Sequence, residues 1–449
     1  MAINPPVDAT KTPEWAAKIT GIPADRIRSL AQEIGTTKPL YVNQGWGPQR
    51  RSNGEWTAWS IMTLPCLVGQ VGLPGTSNGT REARNAPSLG SLPKGDNPVK
   101  ASIPCFLFTD AIDHGPEMTS KNAGVKGVDQ LSTGIKYMIN YAGNCLTNQH
   151  SDINKAHEVL ADESKCEFIL GIDTVLCDSL MYADVILPDL FRFEQTSQIS
   201  TGSDTGYMIT GTACTTPKFE RKTAYEMAEL MADKLGVKDQ FTEGKTEDDW
   251  IKSIYETSRE KDEKLPTWDE AVEMGVYTRD YAPVISMKKF RDDPVANALE
   301  TPSGKIEIFS EKLLQFTEGW ELTDGEYPLV LNGFHYRGRI HSSWGFMPEL
   351  KEVNPQEAWI NPADAASRNI KQGDTVQVKN EFGSIELLAK VTPRTLPGVV
   401  AVSQGAWYDG DRKGGVDKGG SINTLTTQRP SPLSKGNPQH TNICQVAKA

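Results

Sequence analysis

Two polar loops near the carboxyl end of the chain carry many side chains that could bind an anion. They cover residues 333–343 and 421–441. Together they hold three of the six histidines: His335, His341 and His440. Arg337 and Arg339 stand close to His341 in the sequence, and this combination suits a phosphate group. A single loop histidine is more often a structural hydrogen-bond donor, but three histidines beside two arginines favour binding.

A second candidate site lies in the amino-terminal part of the chain. Trp46 and Arg50 fall within the glycine-rich segment from Gln44 to Arg50, where glycine permits unusual backbone angles. An indole and a guanidinium at this spacing could bind an anionic or oxygen-bearing ligand. The sequence leaves open the alternative that Trp46 stacks on Arg50 and merely closes the loop.

The elements that would position a third candidate are predicted between residues 135 and 195. An apolar run over 138–142 leads into a polar loop, and Asp152 can cap a helix over 153–160. A second apolar run, residues 168–172, follows that helix. Strand, loop, helix and strand in this order form half of a doubly wound nucleotide-binding fold.

Asp173 ends that second strand, where it could accept hydrogen bonds from a ribose hydroxyl or a base edge. A third apolar run, residues 184–187, predicts another strand. The fingerprint GxGxxG is absent, so a plain dinucleotide site is a weak interpretation. An ordinary parallel sheet with polar loop ends explains the pattern equally well.

Length and composition restrict the possible classes of protein. A chain of 449 residues is long enough for two or three domains, and 38% hydrophobic with 23% charged residues is typical of soluble proteins. The net charge of −11 argues against nucleic-acid binding. No apolar run is long enough to span a membrane, and the first residues do not resemble a secretory signal. None of the seven cysteines belongs to a CxxC pair or pairs with a histidine at a usual metal spacing, so we expect no zinc or iron–sulfur site held by this chain alone.

The predicted fold class is α/β, with Rossmann-like parallel-sheet lobes followed by a carboxyl-terminal β-barrel. Short β-runs after residue 327 predict the barrel. The predicted domains are a partial α/β lobe (1–134), a Rossmann-like half-domain with a dinucleotide loop (135–236), a helical and irregular connection (237–325) and the barrel (326–449).

Four further local predictions concern the remaining chain. The sequence predicts a strand over 38–43, a buried helix over 55–67 and a hairpin over 301–309. Residues 110–134 are expected at the surface.

Six sequence blocks, taken together, resemble the molybdopterin oxidoreductases, in the branch of the respiratory dimethyl sulfoxide reductase catalytic A subunits. The blocks are GWGPQR, YAGNCLTNQHSDIN, YADVILPD, GRIHSS, QGAWYD and INTLTTQRPSPLSKGNPQHT. The block ADVILP alone is moderately specific, whereas all six in this order are highly specific. The similarity runs from about residue 12 to the end of the chain.

This resemblance implies intertwined α/β lobes and a double-psi β-barrel. It also implies molybdenum held by two molybdopterin guanine dinucleotides, and reduction of dimethyl sulfoxide or another S-oxide or N-oxide in anaerobic respiration. By the same resemblance, the residues fall into five groups: the catalytic pocket, Trp46 and Arg50; one dinucleotide loop, Asn144 and Asn148; its guanosine end, Ile172 and Asp173; the barrel loop over the pterins, His335, Arg339, His341 and Ser342; and the tail contacts, Asn423, His440 and Thr441. No residue is assigned as a metal ligand.

Departures from the family pattern lead to further expectations. The cysteine cluster for a [4Fe–4S] centre, the export signal and the segment with the serine ligand to molybdenum are missing from this sequence. The resemblance therefore implies the carboxyl-terminal part of a longer subunit, inactive by itself. The full-length protein would work in the periplasm with an iron–sulfur electron-transfer subunit and a membrane anchor subunit.

Two alternatives remain at this point. One is a non-catalytic module that keeps dinucleotide contacts without chemistry, which the missing metal ligand favours for this polypeptide alone. The other is a nicotinamide-dependent dehydrogenase, which the missing glycine fingerprint disfavours.

Overall fold

The computed structural model of the protein describes residues 11–80, 86–196, 198–201, 206–316, 325–410 and 415–449. Residues 1–10, where a secretory signal was sought in the sequence, lie outside these ranges. Among the described residues, no helix combines the length and apolarity needed to cross a membrane.

The described residues form the following α-helices and strands, numbered in chain order. The α-helices are α1 Pro13–Thr20, α2 Ala24–Thr36, α3 Gly54–Leu67, α4 Phe108–Asp113, α5 Ile153–Leu160, α6 Ala224–Lys234, α7 Lys238–Thr242, α8 Glu247–Lys261, α9 Trp268–Met274, α10 Lys288–Asp292, α11 Glu311–Leu314, α12 Pro348–Val353 and α13 Pro362–Ser367. The strands are β1 Tyr137–Tyr141, β2 Phe168–Asp173, β3 Val185–Pro188, β4 Gln198–Thr201, β5 Tyr207–Gly211, β6 Val276–Thr278, β7 Leu329–Phe334, β8 Glu357–Ile360, β9 Thr375–Asn380, β10 Gly383–Val391, β11 Val399–Ser403 and β12 Asn442–Lys448.

Strands β1, β2 and β3 form a parallel sheet in that order, as the sequence predicted. Helix α5 connects β1 to β2, and Asp152 caps it by accepting a hydrogen bond from the Lys155 backbone N–H at 3.2 Å. The α5 residues Ile153, Ala156 and Val159 are buried, which explains the helical spacing of apolar residues in this segment. The polar loop after β1 therefore lies at the carboxyl edge of a parallel sheet, where α/β folds bind ligands.

The carboxyl-terminal strands close into a barrel in the order β10-β8-β11-β7-β12-β9. Inward-facing side chains alternate along each strand, and Ile385, Leu387 and Ala389 of β10 are buried for this reason. The predicted barrel is therefore confirmed. The sequence did not predict β12, which closes the barrel by pairing antiparallel with β7 and β9.

A third sheet, which the sequence did not predict, contains β4, β5 and β6 in antiparallel order. Met208 of β5 packs with the buried side chains Tyr255, Leu265 and Ala271 from the helical region. This cluster joins the sheet to α8 and α9, and it gives the charged connecting region a core of its own.

Two predicted strand segments are wrong, and in each the backbone makes hydrogen bonds other than those of a strand pair. Residues 38–43 form no strand, and the Val42 backbone N–H donates to the hydroxyl oxygen of Ser77 at 2.9 Å. Residues 301–309 form a turn and no hairpin. In that turn, the Thr301 hydroxyl donates to the Lys305 carbonyl at 2.6 Å, and the Gly304 N–H donates to the Thr301 carbonyl at 2.9 Å.

Two predictions of burial are also wrong. Helix α3 has the predicted bounds within one residue, but only Gly54 and Pro65 of it are buried. Residues 110–134, expected at the surface, contribute Ala111, Met118 and Val125 to a buried cluster. Apolar spacing predicts which residues share a helix face, but it does not determine what covers that face.

We expect Leu331→Ala to destabilise the protein, because this β7 side chain is fully buried in the barrel core. Removing a buried leucine side chain lowers the free energy of unfolding by about 2–5 kcal/mol. The matched control is Leu388→Ala on β10, where the side chain is 44% exposed. Thermal unfolding of both variants measures the difference, and an equal loss in melting temperature would contradict this account of the barrel core.

Candidate functional site

One cavity of about 180 Å³ lies where three distant segments meet, and we call it the site cavity. Arg50 comes from the turn before α3, Gln149 from the loop after β1, and the remaining lining residues from the end of β7 and from loops of the barrel. Among these are Gly333, His341, Gln404, Asn423 and Gln439. None of the described residues that line the cavity is acidic. The structure thus brings together Arg50, His341 and Asn423, which the resemblance had assigned to three separate groups of site residues.

The turn that carries Arg50 is fastened to the tail before β12. The Arg50 Nη1 donates to the Gln439 Oε1 at 3.4 Å, and the His440 backbone N–H donates to the Arg50 carbonyl at 3.1 Å. The Ser52 backbone N–H donates to the Thr441 hydroxyl oxygen at 2.9 Å. These bonds hold the guanidinium at the cavity wall and leave Thr441 a structural acceptor.

Histidines His335 and His341 stand next to each other on the barrel loop, with ring centroids 5.2 Å apart. The Gln404 side-chain nitrogen lies 2.8 Å from the His341 Nδ1 and 3.4 Å from His335, so Gln404 bridges the two rings. Burial lowers the pKa of His341, and electrostatic interactions with His335 and Arg50 lower it further. Additional positive charge is therefore unfavourable in the cavity, and a bound anion would be favourable there.

Gly405 permits the barrel loops to approach this closely. Its φ is +83°, and a Cβ atom there would lie 1.8 Å from the His341 carbonyl oxygen. An L side chain would be strained by the backbone angle and would collide with backbone that has no room to move. The glycine thus fixes the approach of the loop after β11 to the loop after β7.

Amide side chains join the loop after β1 to the barrel. The Asn423 Nδ2 donates to the Asn148 carbonyl at 2.8 Å, and the Asn148 Nδ2 donates to the Ala406 carbonyl at 2.7 Å. The Gln149 Nε2 donates to the Ser342 hydroxyl oxygen at 3.2 Å. Since both sides contribute donors, the site cavity exists only when the barrel and the parallel sheet are docked.

Three predicted residues lie at the parallel sheet, outside the cavity lining. The Asn144 Oδ1 accepts from the Ser179 hydroxyl at 2.9 Å and from the Ser179 backbone N–H at 3.1 Å. Asp173 ends β2, where its Oδ1 accepts from the Thr174 backbone N–H at 2.6 Å. The neighbouring Ile172 is buried, and its carbonyl accepts from the Ala142 N–H at 2.8 Å.

Trp46 and Arg339 do not line the site cavity. Trp46 is 54% exposed. Arg339 donates through its Nε to the Gln404 carbonyl at 3.0 Å and through its Nη2 to the Ser403 hydroxyl oxygen at 2.9 Å. It lines a separate cavity of about 600 Å³ with Trp407, and burial lowers its pKa to about 10.

Several buried polar atoms around the site have no hydrogen-bond partner among the described residues. They include the Asn144 Nδ2, the Asn148 Oδ1 and the His440 Nδ1, and also the Thr147 Oγ1 and the Ser421 Oγ. Buried polar groups in folded proteins normally find a partner, so atoms left over in one region indicate a place for a ligand. The resemblance had singled out Asn144, Asn148 and His440, but not Thr147 or Ser421.

Sequence reasoning missed Gln404 and Gln439, although both stand in the blocks QGAWYD and INTLTTQRPSPLSKGNPQHT. The blocks showed that these segments mattered. They did not show which side chain faces the cavity, because glutamine carries no charge and its contacts come from distant parts of the chain.

We expect the ligand-free protein to become less stable as the pH is lowered, because of His440. Burial lowers the pKa of His440 to about 4, and the charges of Arg51 and Arg50 contribute to the lowering. The unfolded chain, with an ordinary histidine pKa of about 6.5, binds a proton in this window that the folded chain does not. The free energy of unfolding therefore decreases as the pH falls from about 6.5 to about 4.

The measurement is the melting temperature across this pH range for the wild type and for His440→Gln. The variant should lose less of its melting temperature, because it has no imidazole to protonate at this position. The control is His114→Gln, which replaces a histidine outside the site cavity. Identical pH profiles for His440→Gln and the wild type would contradict the prediction.

Comparison with known proteins adds two family matches. The family model described as molybdopterin oxidoreductase matches residues 3–234. The model described as molydopterin dinucleotide binding domain matches residues 329–443. The second match covers the barrel and its loops, and the first covers Arg50 and the parallel sheet.

Dimethyl sulfoxide reductase DmsA of Escherichia coli (strain K12) is 47% identical over 469 residues, which cover 99% of this chain and 58% of that protein. The dimethyl sulfoxide/trimethylamine N-oxide reductase of Cereibacter sphaeroides is 30% identical over 486 residues, covering 98% of this chain and 58% of that protein. The chain thus spans 58% of the length of these curated relatives.

Acetylene hydratase from Pelobacter acetylenicus has a similar fold, with a TM-score of 0.69 at 16% sequence identity. The match covers 97% of this chain and 64% of that chain. At this identity the similarity concerns the fold alone.

Proposed function

The chain belongs to the molybdopterin oxidoreductase family, and we propose that it forms the cofactor-holding and substrate-facing part of an enzyme that reduces an S-oxide or an N-oxide. The proposed cofactor is molybdenum bis(molybdopterin guanine dinucleotide). The names of the two relatives, a dimethyl sulfoxide reductase and a dimethyl sulfoxide/trimethylamine N-oxide reductase, support this substrate class.

The observation that carries the proposal is the convergence of Arg50, His341 and Asn423 on one cavity, in which none of the described lining residues is acidic. The chain as a whole has a net charge of −11. Most of a protein with this net charge would repel an anionic dinucleotide. Binding therefore needs a local region that favours negative charge. The site cavity supplies the Arg50 guanidinium, the His341 imidazole and neutral amides.

The buried atoms without partners also fit the proposed cofactor. The Asn144 Nδ2 can donate a hydrogen bond, and the Asn148 Oδ1 can accept one. Pterin and guanine rings carry both donors and acceptors on their edges. Asp173, at the carboxyl end of β2, adds a carboxylate that can accept from a guanine N–H or a ribose hydroxyl.

When bound, the cofactor supplies two-electron redox chemistry at molybdenum. The residues of this chain bind and orient the reacting groups. The Arg50 guanidinium is held by Gln439, and a guanidinium presents a planar pair of donors to an oxygen. We propose that it donates to the substrate oxygen and stabilises the negative charge that develops as the bond from sulfur or nitrogen to oxygen breaks.

The proposal extends to the complete protein on the strength of the family resemblance. It places a [4Fe–4S] centre in a part of the protein outside this chain, and an iron–sulfur electron-transfer subunit and a membrane anchor subunit as partners. The proposed location is the periplasm, and the proposed role is anaerobic respiration. Trp46 is proposed to limit water access to the substrate in that complete protein.

The direct test is the rate of S-oxide and N-oxide reduction per bound molybdenum, measured with the complete protein. We expect Arg50→Lys to lower this rate about a hundredfold, because lysine keeps the charge but loses the planar pair of donors. Molybdenum content should change much less than the rate.

The control is Arg51→Lys. Arg51 donates to the His440 carbonyl at 3.2 Å and does not line the cavity. We expect it to affect stability or cofactor content without lowering turnover per molybdenum. An unchanged normalised rate for Arg50→Lys would remove Arg50 from the catalytic residues, and absence of oxide reduction by the wild-type protein would overturn the proposed function.

A further inference from the structure

The loop between β1 and α5 is held by a short turn that neither the sequence nor the family blocks singled out. This turn begins at Asp178 and Ser179, after β2. The fully buried Ser179 hydroxyl oxygen accepts from the backbone N–H groups of Leu146, at 2.9 Å, and Thr147, at 3.2 Å. It also donates to the Asn144 Oδ1 at 2.9 Å. Ser179 thus fixes the first half of the loop.

Asp178 fixes the second half of the loop and joins it to the barrel. Its Oδ2 accepts from the Asn148 Nδ2 at 3.3 Å and from the Tyr408 backbone N–H at 3.0 Å. One carboxylate oxygen therefore connects the loop after β1 to the segment after β11. Hydrogen bonds to an ionised acceptor are stronger than those between neutral groups.

These hydrogen bonds determine which atom of the Asn148 carboxamide, the nitrogen or the oxygen, is available to a ligand. Asp178 and the Ala406 carbonyl are both acceptors, so they require the Asn148 Nδ2 on their side. The Oδ1 is then left without a partner, in a side chain that is 1% exposed. The same logic applied to Asn144, whose Oδ1 is used by Ser179, leaves its Nδ2 without a partner.

We propose that Asp178 is a positioning residue of the cofactor site, which holds Asn148 and the barrel segment 406–408 in register and presents the Asn148 carbonyl oxygen to a ligand N–H. The ligand group that fits is an N–H donor on a heterocycle edge, such as that of a pterin or a guanine, and not a phosphate oxygen. The ligand part of this inference rests on the proposed function. The positioning part concerns contacts within the chain alone.

The ionisation of Asp178 gives the inference a specific signature. Burial is the main cause that raises the pKa of Asp178 to about 6; the hydrogen bonds from Tyr408 and Asn148 oppose this rise, and the charge of Asp417 adds to it. Asp417 accepts from the backbone N–H groups of Asp409, Gly419 and Ser421, each within 2.8 Å. On the other side, His157 of α5 contacts the Tyr408 ring at a centroid distance of 4.5 Å and reaches the Tyr182 hydroxyl at 2.8 Å. Asp178 is therefore ionised above about pH 6 and takes up a proton below it.

The test compares Asp178→Ala with Asp178→Asn in the complete protein. Alanine removes the acceptor, so we expect pterin release from the purified protein to be at least about tenfold faster. Asparagine can place its single oxygen where the Oδ2 stands, so its release rate at pH 7.5 should stay within about threefold of the wild type. An unchanged rate for the alanine variant would overturn the proposal, as would an asparagine variant as fast as the alanine one.

The pH profile separates positioning from general stability. Between pH 7.5 and pH 5 the wild type loses the charge on Asp178, whereas Asp178→Asn has none to lose. The two release rates should therefore be equal at pH 5, whatever their ratio at pH 7.5, and unequal rates at pH 5 would overturn the proposal. The control is Asp184→Asn, where the carboxylate accepts from the Ile169 backbone N–H at 2.7 Å and does not contact Asn148.

A readout that needs no cofactor distinguishes this inference from the proposed function. Hydrogen–deuterium exchange of the peptide containing Tyr408 should be at least about tenfold faster in Asp178→Ala, because the Tyr408 N–H loses its acceptor. Unchanged exchange would overturn the positioning role. If the wild-type protein contains no pterin but the exchange difference between it and Asp178→Ala is found, the proposed function is overturned and the positioning role is supported.

Discussion

The candidate site depends on hydrogen bonds that cross between the barrel and the α/β part of the chain. Asn148 donates to a carbonyl of the barrel, Asn423 donates back to Asn148, and the turn of Arg50 is fastened to the tail before β12. Neither part holds the cavity alone. The contribution of each bond is modest, about 0.5–1.5 kcal/mol for neutral groups, but their geometry determines where the ligand-facing atoms lie.

The electrostatics of the cavity follow from this docking. It brings arginines close to histidines, and burial with those charges lowers the pKa of His341 and His440. The histidines are then neutral at physiological pH, and an approaching anion would favour their protonation. A chain with a net charge of −11 thereby has one region that resists further positive charge.

The sequence predicted those parts of the fold where local pattern and structure agree. The unit from β1 through α5 to β2 has clear apolar periodicity and a capping aspartate, and five of the barrel strands have β-type runs. Strand β12 was missed, since its place depends on pairing with β7 and β9, which are distant in the sequence. The segment 38–43 has a strand-like composition but no partner strand, and nothing local distinguishes the two cases.

Some of the site residues could likewise be predicted from the sequence, and others could not. Resemblance found Arg50, His341 and Asn423, which line one cavity, but it could not tell that Arg339 faces a different one. Asp178 gave no sequence signal, because an aspartate in a loop is ordinary until its partners Asn148 and Tyr408 are known. Contacts between distant residues are what the sequence alone did not contain.

The central claim is that this cavity and the loops around it hold a pterin dinucleotide. The most direct measurement is the content of guanine nucleotide, pterin and molybdenum released from the purified complete protein. The account predicts two guanine nucleotides and two pterins for each molybdenum, bound in stoichiometric amount. A pure, folded protein that releases none of the three, or that releases a nicotinamide dinucleotide instead, would contradict it.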